Sequence, residues 1–397
     1  MKYKLENVCN KIYSGGTPST KHPEYWGGEL PWMSSGETSQ RFIYTTEKFI
    51  TEVGVKNSST KYAKKQSTVM ASAGQGHTRG QVSYLMKDMY VNQSILVFTP
   101  NTSLVEPLYL YYNLDGRYEE LRQLSDGTST RGSLSGKIVK GIEIDLPDKE
   151  TQKKIVTILY AIDKKIEVNT QINRNLLEQL ESLYDEWFGR FKPFNMGIGN
   201  NPEYELEEGW HIESIYSIAN IIYGAPFASK LFNTEHNGKP IVRIRDLKEQ
   251  SLCTFTTERH PKGYLLQPGD IVVGMDGEFK PHIWGNEEAW LNQRVCVFDN
   301  IRKNGKAYLY CTLKPLLYSV EATEVATTVI HIGKKDYDEF RVVLPPENIL
   351  IRFEEISRQL FDEIVANQLE NRRLVTLREL LIPKLMSGEI DVSNIEI

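Results

Sequence analysis

Two glycine-bearing segments, residues 71–81 and 274–284, carry side chains that can hydrogen-bond to the edges of nucleic-acid bases. Arginine binds guanine through two donors, glutamine pairs with adenine, and glutamate accepts from cytosine. Glycine lets a backbone approach a ligand closely. We predict that both segments are reading loops, although each could also be a hairpin with a solvated tip. The candidate DNA-binding side chains, with three arginines outside these segments, are Gln75, His77, Arg79, Gln81, Arg131, Arg243, Arg245, Lys280 and His282.

Motifs that would support catalysis are incomplete in this sequence. GQGHTRG at 74–80 lacks the spacing of a dinucleotide-binding loop, and GSLSGKI at 132–138 is one residue short of a phosphate loop. Asp163-Lys164-Lys165 resembles part of a Mg²⁺-binding nuclease site, but it falls within a predicted helix whose flanking positions are expected to be charged. The histidines show no paired metal-ligand spacing. We therefore expect a binding protein without a metal, cofactor or catalytic centre of its own.

The composition indicates a soluble globular protein. The chain has 397 residues, of which 40% are hydrophobic and 25% charged. This length and composition predict two or three domains and exclude a fibrous or disordered chain. No apolar run approaches the ~18 residues of a membrane span. The four cysteines are scattered and the first residues lack a signal-peptide core, so we expect a reducing cytoplasm.

The net charge of −5 does not suggest a nucleic-acid-binding protein. The charge is unevenly distributed, however, because residues 41–87 hold eight lysines and arginines against Glu47 and Glu52. A local basic strip can bind phosphate whatever the charge of the whole chain. The same strip could also be a solvated lysine-rich face, so charge alone decides nothing.

An internal repeat organises the sequence. The aligned segments are 5–15 with 215–225, 30–37 with 239–246, and 91–98 with 291–298. From Ser129 onward the offset is a constant 198 residues, which pairs Leu134 with Ile332. In each copy, short runs of β-forming residues precede a long helix-forming segment. We therefore predict two recognition domains (1–147 and 204–345), a central helix (148–192), a linker (193–203), and a C-terminal helix with a tail (346–397).

Both long helical segments carry an apolar stripe with alternating spacings of three and four residues, which is the pattern of a coiled-coil seam. Asn169 and Asn173 interrupt the first stripe near its middle, and Asn367 and Asn371 interrupt the second. A polar residue in a seam usually fixes register. We predict that the two helices pair antiparallel, with Asn169 facing Asn371 and Asn173 facing Asn367. The alternative is that each helix packs on its own domain. The predicted fold class is α+β, with two β-rich domains, an antiparallel coiled coil and a pseudo-twofold repeat.

Several motifs together resemble the specificity subunits of type I restriction-modification systems. These are GGTPSTKHPEYWGGELPWMSSGE at 15–37, the VNQ-strand block at 91–98, the Leu-Pro before each long helix, and LLIPKLMSGEI at 380–390. The resemblance spans essentially the whole chain. The second domain departs from the first because it lacks the Pro-Glu-Tyr-Trp element and is acidic, so its recognised sequence should differ.

The resemblance implies a non-catalytic subunit whose two target recognition domains each read one half of a bipartite double-stranded DNA site. The helices would space the halves and dock two methylation subunits. The S-adenosylmethionine would belong to those subunits, and ATP and Mg²⁺ to partners that include restriction subunits where these are present. A coiled-coil adaptor that never meets nucleic acid is the alternative. The salt dependence of DNA affinity distinguishes the two, because only a duplex binder releases counterions. A nuclease is disfavoured.

Overall fold

The computed structural model describes residues 1–74, 76–126, 132–189, 206, 208–250, 252–323 and 331–395. The chain forms two compact units, of which the first comprises Met1–Lys164 with Val375–Ile397 and the second Lys165–Leu374. Each unit thus takes in one predicted recognition domain and part of both long helices. The predicted linker at 193–203 lies outside the described residues.

The first unit contains two larger sheets of short strands and one two-stranded sheet. Its strands are β1 (Lys2–Lys4), β2 (Cys9–Ser14), β3 (Trp26–Met33), β4 (Phe42–Ile43), β5 (Lys48–Ile50), β6 (Lys61–Ala63), β7 (Thr68–Ala71), β8 (Val82–Leu85), β9 (Met89–Val91), β10 (Ile95–Pro100) and β11 (Glu143–Asp145). Its short helices are α1 (Leu5–Val8), α2 (Glu52–Lys56), α3 (Pro107–Asp115), α4 (Tyr118–Asp126) and α5 (Gly136–Lys140). One sheet has the order β2-β10-β7-β8-β4 and the other β5-β3-β9-β6, while β1 pairs with β11.

Two long helices cross the boundary between the units. They are α6 (Lys149–Phe188) and, at the C-terminal end, the helix Glu347–Ser387. Asp148 caps α6, because its carboxylate accepts from the backbone N–H of Thr151 at 2.9 Å. The C-terminal helix ends before Gly388, whose φ of +77° suits the left-handed position that closes many helices. Among the described residues, no helix is long and apolar enough to cross a membrane.

The second unit repeats the arrangement of the first. Its strands are β12 (His211–Ser214), β13 (Ala219–Tyr223), β14 (Phe232–Asn233), β15 (Lys239–Val242), β16 (Phe255–Thr256), β17 (Leu265–Leu266), β18 (Ile271–Gly274), β19 (Pro281–Ile283), β20 (Ala289–Leu291), β21 (Val295–Asn300) and β22 (Arg341–Leu344). Its helices are α7 (Ile244–Leu247), α8 (Lys306–Thr323) and α9 (Lys334–Glu339), and the long C-terminal helix is α10. The sheets have the orders β13-β21-β18-β19 and β14-β16-β15-β20-β17, while β12 pairs with β22.

The strand pairing confirms the internal repeat. In the first unit Met33 on β3 pairs in parallel with Val91 on β9, and in the second Val242 on β15 pairs in parallel with Leu291 on β20. These residues occupy matching positions in the segments that the sequence aligns. The hairpin β7-β8 likewise corresponds to β18-β19. The fold class is the predicted α+β repeat.

The strands β10 and β21 each contain a continuous apolar run because both of their faces are buried there. Along β10, Leu96 and Phe98 enter one core, while Ile95 and Val97 enter another on the opposite face. Successive side chains of a strand point to opposite faces, so a strand covered on both sides favours apolar residues at consecutive positions. The matching strand β21 divides its residues between two cores in the same way.

The long helices pack both on each other and on the β-rich parts. In the first unit, Ile155 and Leu159 of α6 share a core with Leu385 of α10 and with strand residues. In the second unit, Tyr184 of α6 and Phe353 of α10 do the same. Helix pairing and packing on the domain are therefore not exclusive alternatives, because one core contains side chains of both helices and of the strands.

Candidate nucleic-acid interface

The predicted reading loop of the first unit connects β7 to β8 and is tied to helix α4. Arg122 donates from Nη1 to the carbonyl of Gly76 at 2.9 Å, and the Tyr118 hydroxyl donates to the carbonyl of His77 at 2.9 Å. The His77 side chain is exposed and that of Gln81 is half-buried. Gln75 lies outside the described residues. The helix thus holds the loop through backbone carbonyls and leaves the His77 ring at the surface.

The Arg79 side chain is not presented to solvent, as a base-reading side chain would be. It is buried, forms an ion pair with Asp126, and donates to the carbonyl of Gly132 at 3.1 Å. These contacts join the loop to the end of α4 and to the segment that precedes α5. In this arrangement Arg79 braces the loop, and its reading of a base stays a prediction. Arg131 lies outside the described residues.

The matching loop of the second unit connects β18 to β19 and is held by helix α8. The Phe279 backbone N–H donates to the Glu321 carboxylate at 2.5 Å. At the loop tip, Lys280 pairs with Glu278, and this hydrogen bond raises the pKa of Lys280 and lowers that of Glu278. His282 is half-buried on β19, where desolvation lowers the pKa of its ring and so favours the neutral form. Lys280 therefore presents a charged group at the surface.

Arg243 and Arg245 follow β15 and have different surroundings. Arg243 donates from Nε to Asp246 at 2.9 Å and from Nη2 to the Thr254 hydroxyl at 2.5 Å, so its guanidinium is used inside the domain. The Arg245 side chain is 72% exposed. Of these two predicted residues, only Arg245 presents its charge to solvent.

In each unit, three loops meet at one end of the sheet that contains the β7-β8 hairpin or its counterpart β18-β19. We call this group of loops the loop cluster. In the first unit it comprises residues 72–74, 76–81, 92–94 and 132–135, and in the second 275–280, 292–294 and 331–333. Backbone bonds join them: Ser72 donates to Ser94, and Leu134 donates to Ser72, at 2.8 and 2.9 Å. In the second unit Met275 donates to Arg294, and Ile332 donates to Met275, at 2.9 and 3.0 Å. The two clusters thus share one backbone arrangement.

The side chains on this shared backbone differ between the units. In the first unit three equivalent positions hold small neutral residues, namely Ala73, Ser94 and Ser133. In the second unit they are Asp276, Arg294 and His331, and the Asp276 carboxylate lies 2.7 Å from Nδ1 of His331. Sequence reasoning missed these three residues of the second unit. The repeat alignment contains the signal, since it pairs small neutral residues with charged or titratable ones at matching positions.

Exposed lysines occupy the basic strip predicted at 41–87. Two of its eight cations, Arg41 and Arg79, are used in internal ion pairs. The six lysines of the strip are exposed: Lys48, Lys56, Lys61, Lys64, Lys65 and Lys87. Flexible exposed ammonium groups suit contacts with phosphate, because such contacts need charge but little geometry.

The helix pair of the second unit contains the predicted asparagine layers. Asn169 donates to the Asn371 side-chain carbonyl at 3.0 Å, and Asn367 donates to that of Asn173 at 3.0 Å. These are the partners that the sequence pattern predicts for antiparallel helices. Asn173 also donates to the Ile364 carbonyl at 3.0 Å. A side-chain amide can both donate and accept, so each layer pairs two asparagines across the helices, and a polar pair within a seam favours one register.

The first unit holds a buried charge cluster where four elements meet. Asp163 of α6 accepts from Arg378 of α10 at 2.6 Å and from the Tyr112 hydroxyl of α3 at 2.7 Å, and Nε of Arg41 lies 3.2 Å from it. Arg41 also pairs with Asp115 at 2.8 Å. The sequence interpretation assigned Asp163 to the charged flanking positions of a coiled-coil helix, whereas the structure buries the Asp163 side chain. Its partners lie 51 to 215 residues away along the chain, where helical periodicity carries no information.

Comparison with known proteins places these features in a family. A family model described as the type I restriction modification DNA specificity domain matches residues 1–178 and 207–378. The specificity subunit of the type I restriction enzyme MjaIX from Methanocaldococcus jannaschii is 29% identical over 417 positions, covering 99% of this chain and 94% of that protein. The EcoBI specificity subunit from Escherichia coli is 36% identical over 142 residues, which is 36% of this chain and 30% of that protein.

A solved structure shares the fold. The crystal structure of a type I restriction-modification system S subunit from M. genitalium matches with a TM-score of 0.55 at 15% identity, and the match covers 97% of this chain and 96% of that chain. At this identity the likeness concerns the fold alone.

Proposed function

Because the chain belongs to the family of type I restriction-modification specificity subunits, we propose that each of its two recognition domains reads one half of a bipartite DNA site. The observation that carries the proposal is the double match of the DNA specificity domain, since each matched range contains one loop cluster. The chain itself would catalyse nothing. S-adenosylmethionine, ATP and Mg²⁺ would be used by partner subunits in the cytoplasm.

The two loop clusters suit asymmetric recognition. They share a backbone arrangement, while their side chains differ in charge and in hydrogen-bonding groups. Sequence is read by contacts to base edges, whereas phosphate contacts supply affinity and orientation. In the first domain His77 and Gln81 would face bases, and the exposed lysines Lys61, Lys64 and Lys65 would contact phosphates. Different clusters would then read different half-sites.

The long helices would set the spacing and dock the methylation subunits. Within each unit they expose apolar side chains that a folded chain normally buries. Leu377 and Leu380 of α10 are 45% and 58% exposed in the first unit, and Val168 and Ile172 of α6 are 50% and 39% exposed in the second. Residues three or four apart lie on one face of a helix. A methylation subunit that covers these faces would bury them.

The proposal is tested by the salt dependence of DNA binding. The chain is co-purified with its methylation subunits, and its affinity for duplex DNA is measured by anisotropy between 50 and 200 mM salt. A duplex binder gives a steep linear fall of log affinity with log salt, with a slope of about 0.9 for each phosphate contacted. Affinity that does not depend on salt would instead favour the coiled-coil adaptor.

Matched lysine variants locate the phosphate contacts. Lys64→Ala combined with Lys65→Ala should lower the slope by about 1.8, or 0.9 for each lost contact. The control removes two exposed lysines from the long helices, Lys153 and Lys384, and should leave the slope unchanged. An equal effect of both double variants would mean that general charge, rather than the basic strip, attracts the DNA.

A further inference from the structure

Three charged or titratable side chains of the second unit come from three different loops and meet at the surface. Asp276 follows β18, Arg294 precedes β21, and His331 precedes α9. The Asp276 carboxylate lies 2.7 Å from Nδ1 of His331 and 3.7 Å from Nε of Arg294. A backbone bridge joins Asp276 to His331. Each side chain remains at least a quarter exposed, so the group is held in place and still open to a ligand.

The arrangement of hydrogen-bonding groups leaves the outer edge of Arg294 available. Nη1 of Arg294 lies 3.3 Å from Nδ1 of His331. Nδ1 of His331 has either one hydrogen or one lone pair in the ring plane. Its contact of 2.7 Å with the Asp276 carboxylate requires the hydrogen, because a carboxylate only accepts. The Arg294 guanidinium therefore gains no acceptor from the ring. Its Nε faces Asp276, while the two Nη groups keep the paired donor geometry that binds the O6 and N7 acceptors of guanine.

The fold does not need these charges at this place. The first unit forms the same backbone bonds between its loops with alanine or serine at the three matching positions. A scaffold that closes equally well on Ala73, Ser94 and Ser133 gives no structural reason for a carboxylate, a guanidinium and an imidazole. Different side chains at these matching positions are instead expected if the two domains recognise different bases.

Resting on the proposed function, we infer that Arg294 is a base-reading residue of the second recognition domain and that it binds a guanine in the major groove. Asp276 is a positioning residue, because its carboxylate holds the inner edge of the guanidinium and fixes His331 beside it. The ligand class is a guanine of duplex DNA, because among the base edges of the major groove guanine offers the two acceptors that match the guanidinium fork. A phosphate would also fit the fork, but every half-site offers phosphates, whereas the first unit has Ser94 at the matching position.

The test uses the full complex of this chain with its methylation subunits, expressed in cells whose DNA is then sequenced for methylated sites. The main variant is Arg294→Ser, which installs the residue found at the matching position of the first unit. One position of the second half-site should relax, with discrimination against the other bases there falling about 5- to 150-fold. The first half-site and the gap should keep their sequence and length.

Two further variants separate base reading from other effects. Arg294→Lys keeps the charge but loses the two-donor fork, so it should relax the same position. Arg358→Ala removes an exposed arginine from α10 of the same unit, where it pairs with Asp362, and should leave the motif unchanged. Thermal unfolding of each variant establishes that the fold is kept, as the serine of the first unit leads us to expect.

The outcomes distinguish the inference from the proposed function. If the wild-type complex methylates a bipartite motif and the Arg294→Ser complex methylates the same motif, the inference is overturned and the proposed function stands. Uniformly weaker methylation of every site, with unchanged base preferences, makes Arg294 a phosphate contact and also overturns it. Absence of any sequence preference in the wild-type complex refutes the proposed function, and the inference falls with it.

Discussion

Removing Asp163 from the buried charge cluster of the first unit should destabilise the protein much more than removing its partner Arg378. The Asp163 carboxylate accepts from Arg378, from the Tyr112 hydroxyl and from Nη2 of Arg41, and its side chain is 3% exposed. Arg378 has no other carboxylate partner among the described residues. Asp163→Leu therefore leaves a buried cation without compensation, which costs about 3–5 kcal/mol. Arg41 retains Asp115 and adds little to this cost.

Arg378→Leu should be milder because Asp163 keeps both Arg41 and the Tyr112 hydroxyl. The variant loses one charge-assisted hydrogen bond, worth about 1.5–3 kcal/mol. Burial of the new leucine side chain offsets part of this loss. We expect a net cost of about 1–2 kcal/mol. The replacement suits the fold, since the internal repeat has the buried Leu180 at the matching position of the second unit.

The double variant, Asp163→Leu with Arg378→Leu, removes both charges and should be more stable than Asp163→Leu alone. Replacing a buried ion pair with apolar residues is often neutral, whereas breaking it is not. The matching positions of the second unit, Leu180 and Phe361, are such an apolar pair. The coupling between the two substitutions should therefore be favourable, by roughly 1–3 kcal/mol.

Calorimetry of the full chain and the three variants measures these differences. In a unit of this size each kcal/mol shifts the midpoint by about 2–4 °C. Asp163→Leu should therefore lower the midpoint by roughly 6–20 °C, and Arg378→Leu by roughly 2–8 °C. Equal losses in the two single variants, or a double variant less stable than Asp163→Leu, would refute the assignment of Asp163 as the shared acceptor.

Three further predictions concern other parts of the chain. Asn173→Leu leaves the Asn367 amide without its partner and should cost about 1–3 kcal/mol in thermal unfolding, while leucine at both positions should recover the loss. Of the four cysteines only Cys253 is exposed, and burial raises the pKa of Cys296 to about 12, so one thiol per chain should react with Ellman's reagent before unfolding and four afterwards. Arg122→Ala removes a tether of the first reading loop, and hydrogen exchange should become faster in residues 74–80 without change in the β10 strand.

The repeat and the long helices could be predicted because their signals are local and periodic. A seam that alternates three and four residues over such a long segment can form only on helices, and Asn169 and Asn173 mark its middle. The strand segments 91–98 and 291–298 aligned correctly because both faces of a central strand are buried, which leaves a continuous apolar run. These features depend on residues close together in the sequence.

The roles of single charged residues could not be predicted in the same way. Arg79 has the residue type and loop position of a base reader, yet it pairs with Asp126 at the end of α4. Asp163 has the position of a solvated helix charge, yet its partners come from three other elements. Charge and residue type state what a side chain can bind. Whether that side chain is instead paired inside the protein depends on residues distant in the sequence, which a local pattern does not predict.

The comparison of the two copies separates scaffold from specificity within one chain. Backbone bonds found in both loop clusters belong to the scaffold, since they form with serine, arginine or methionine at the donor and acceptor residues. Side chains that differ at matching positions are not needed for that scaffold. This reasoning selects Arg294 and Asp276 for recognition. In the helix pair it is the basis for expecting that Asp163 and Arg378 can be replaced together by apolar residues, as at Phe361 and Leu180 of the other copy. A specificity subunit that must read two different half-sites needs such differences in its loops, and the shared backbone lets them vary without loss of the fold.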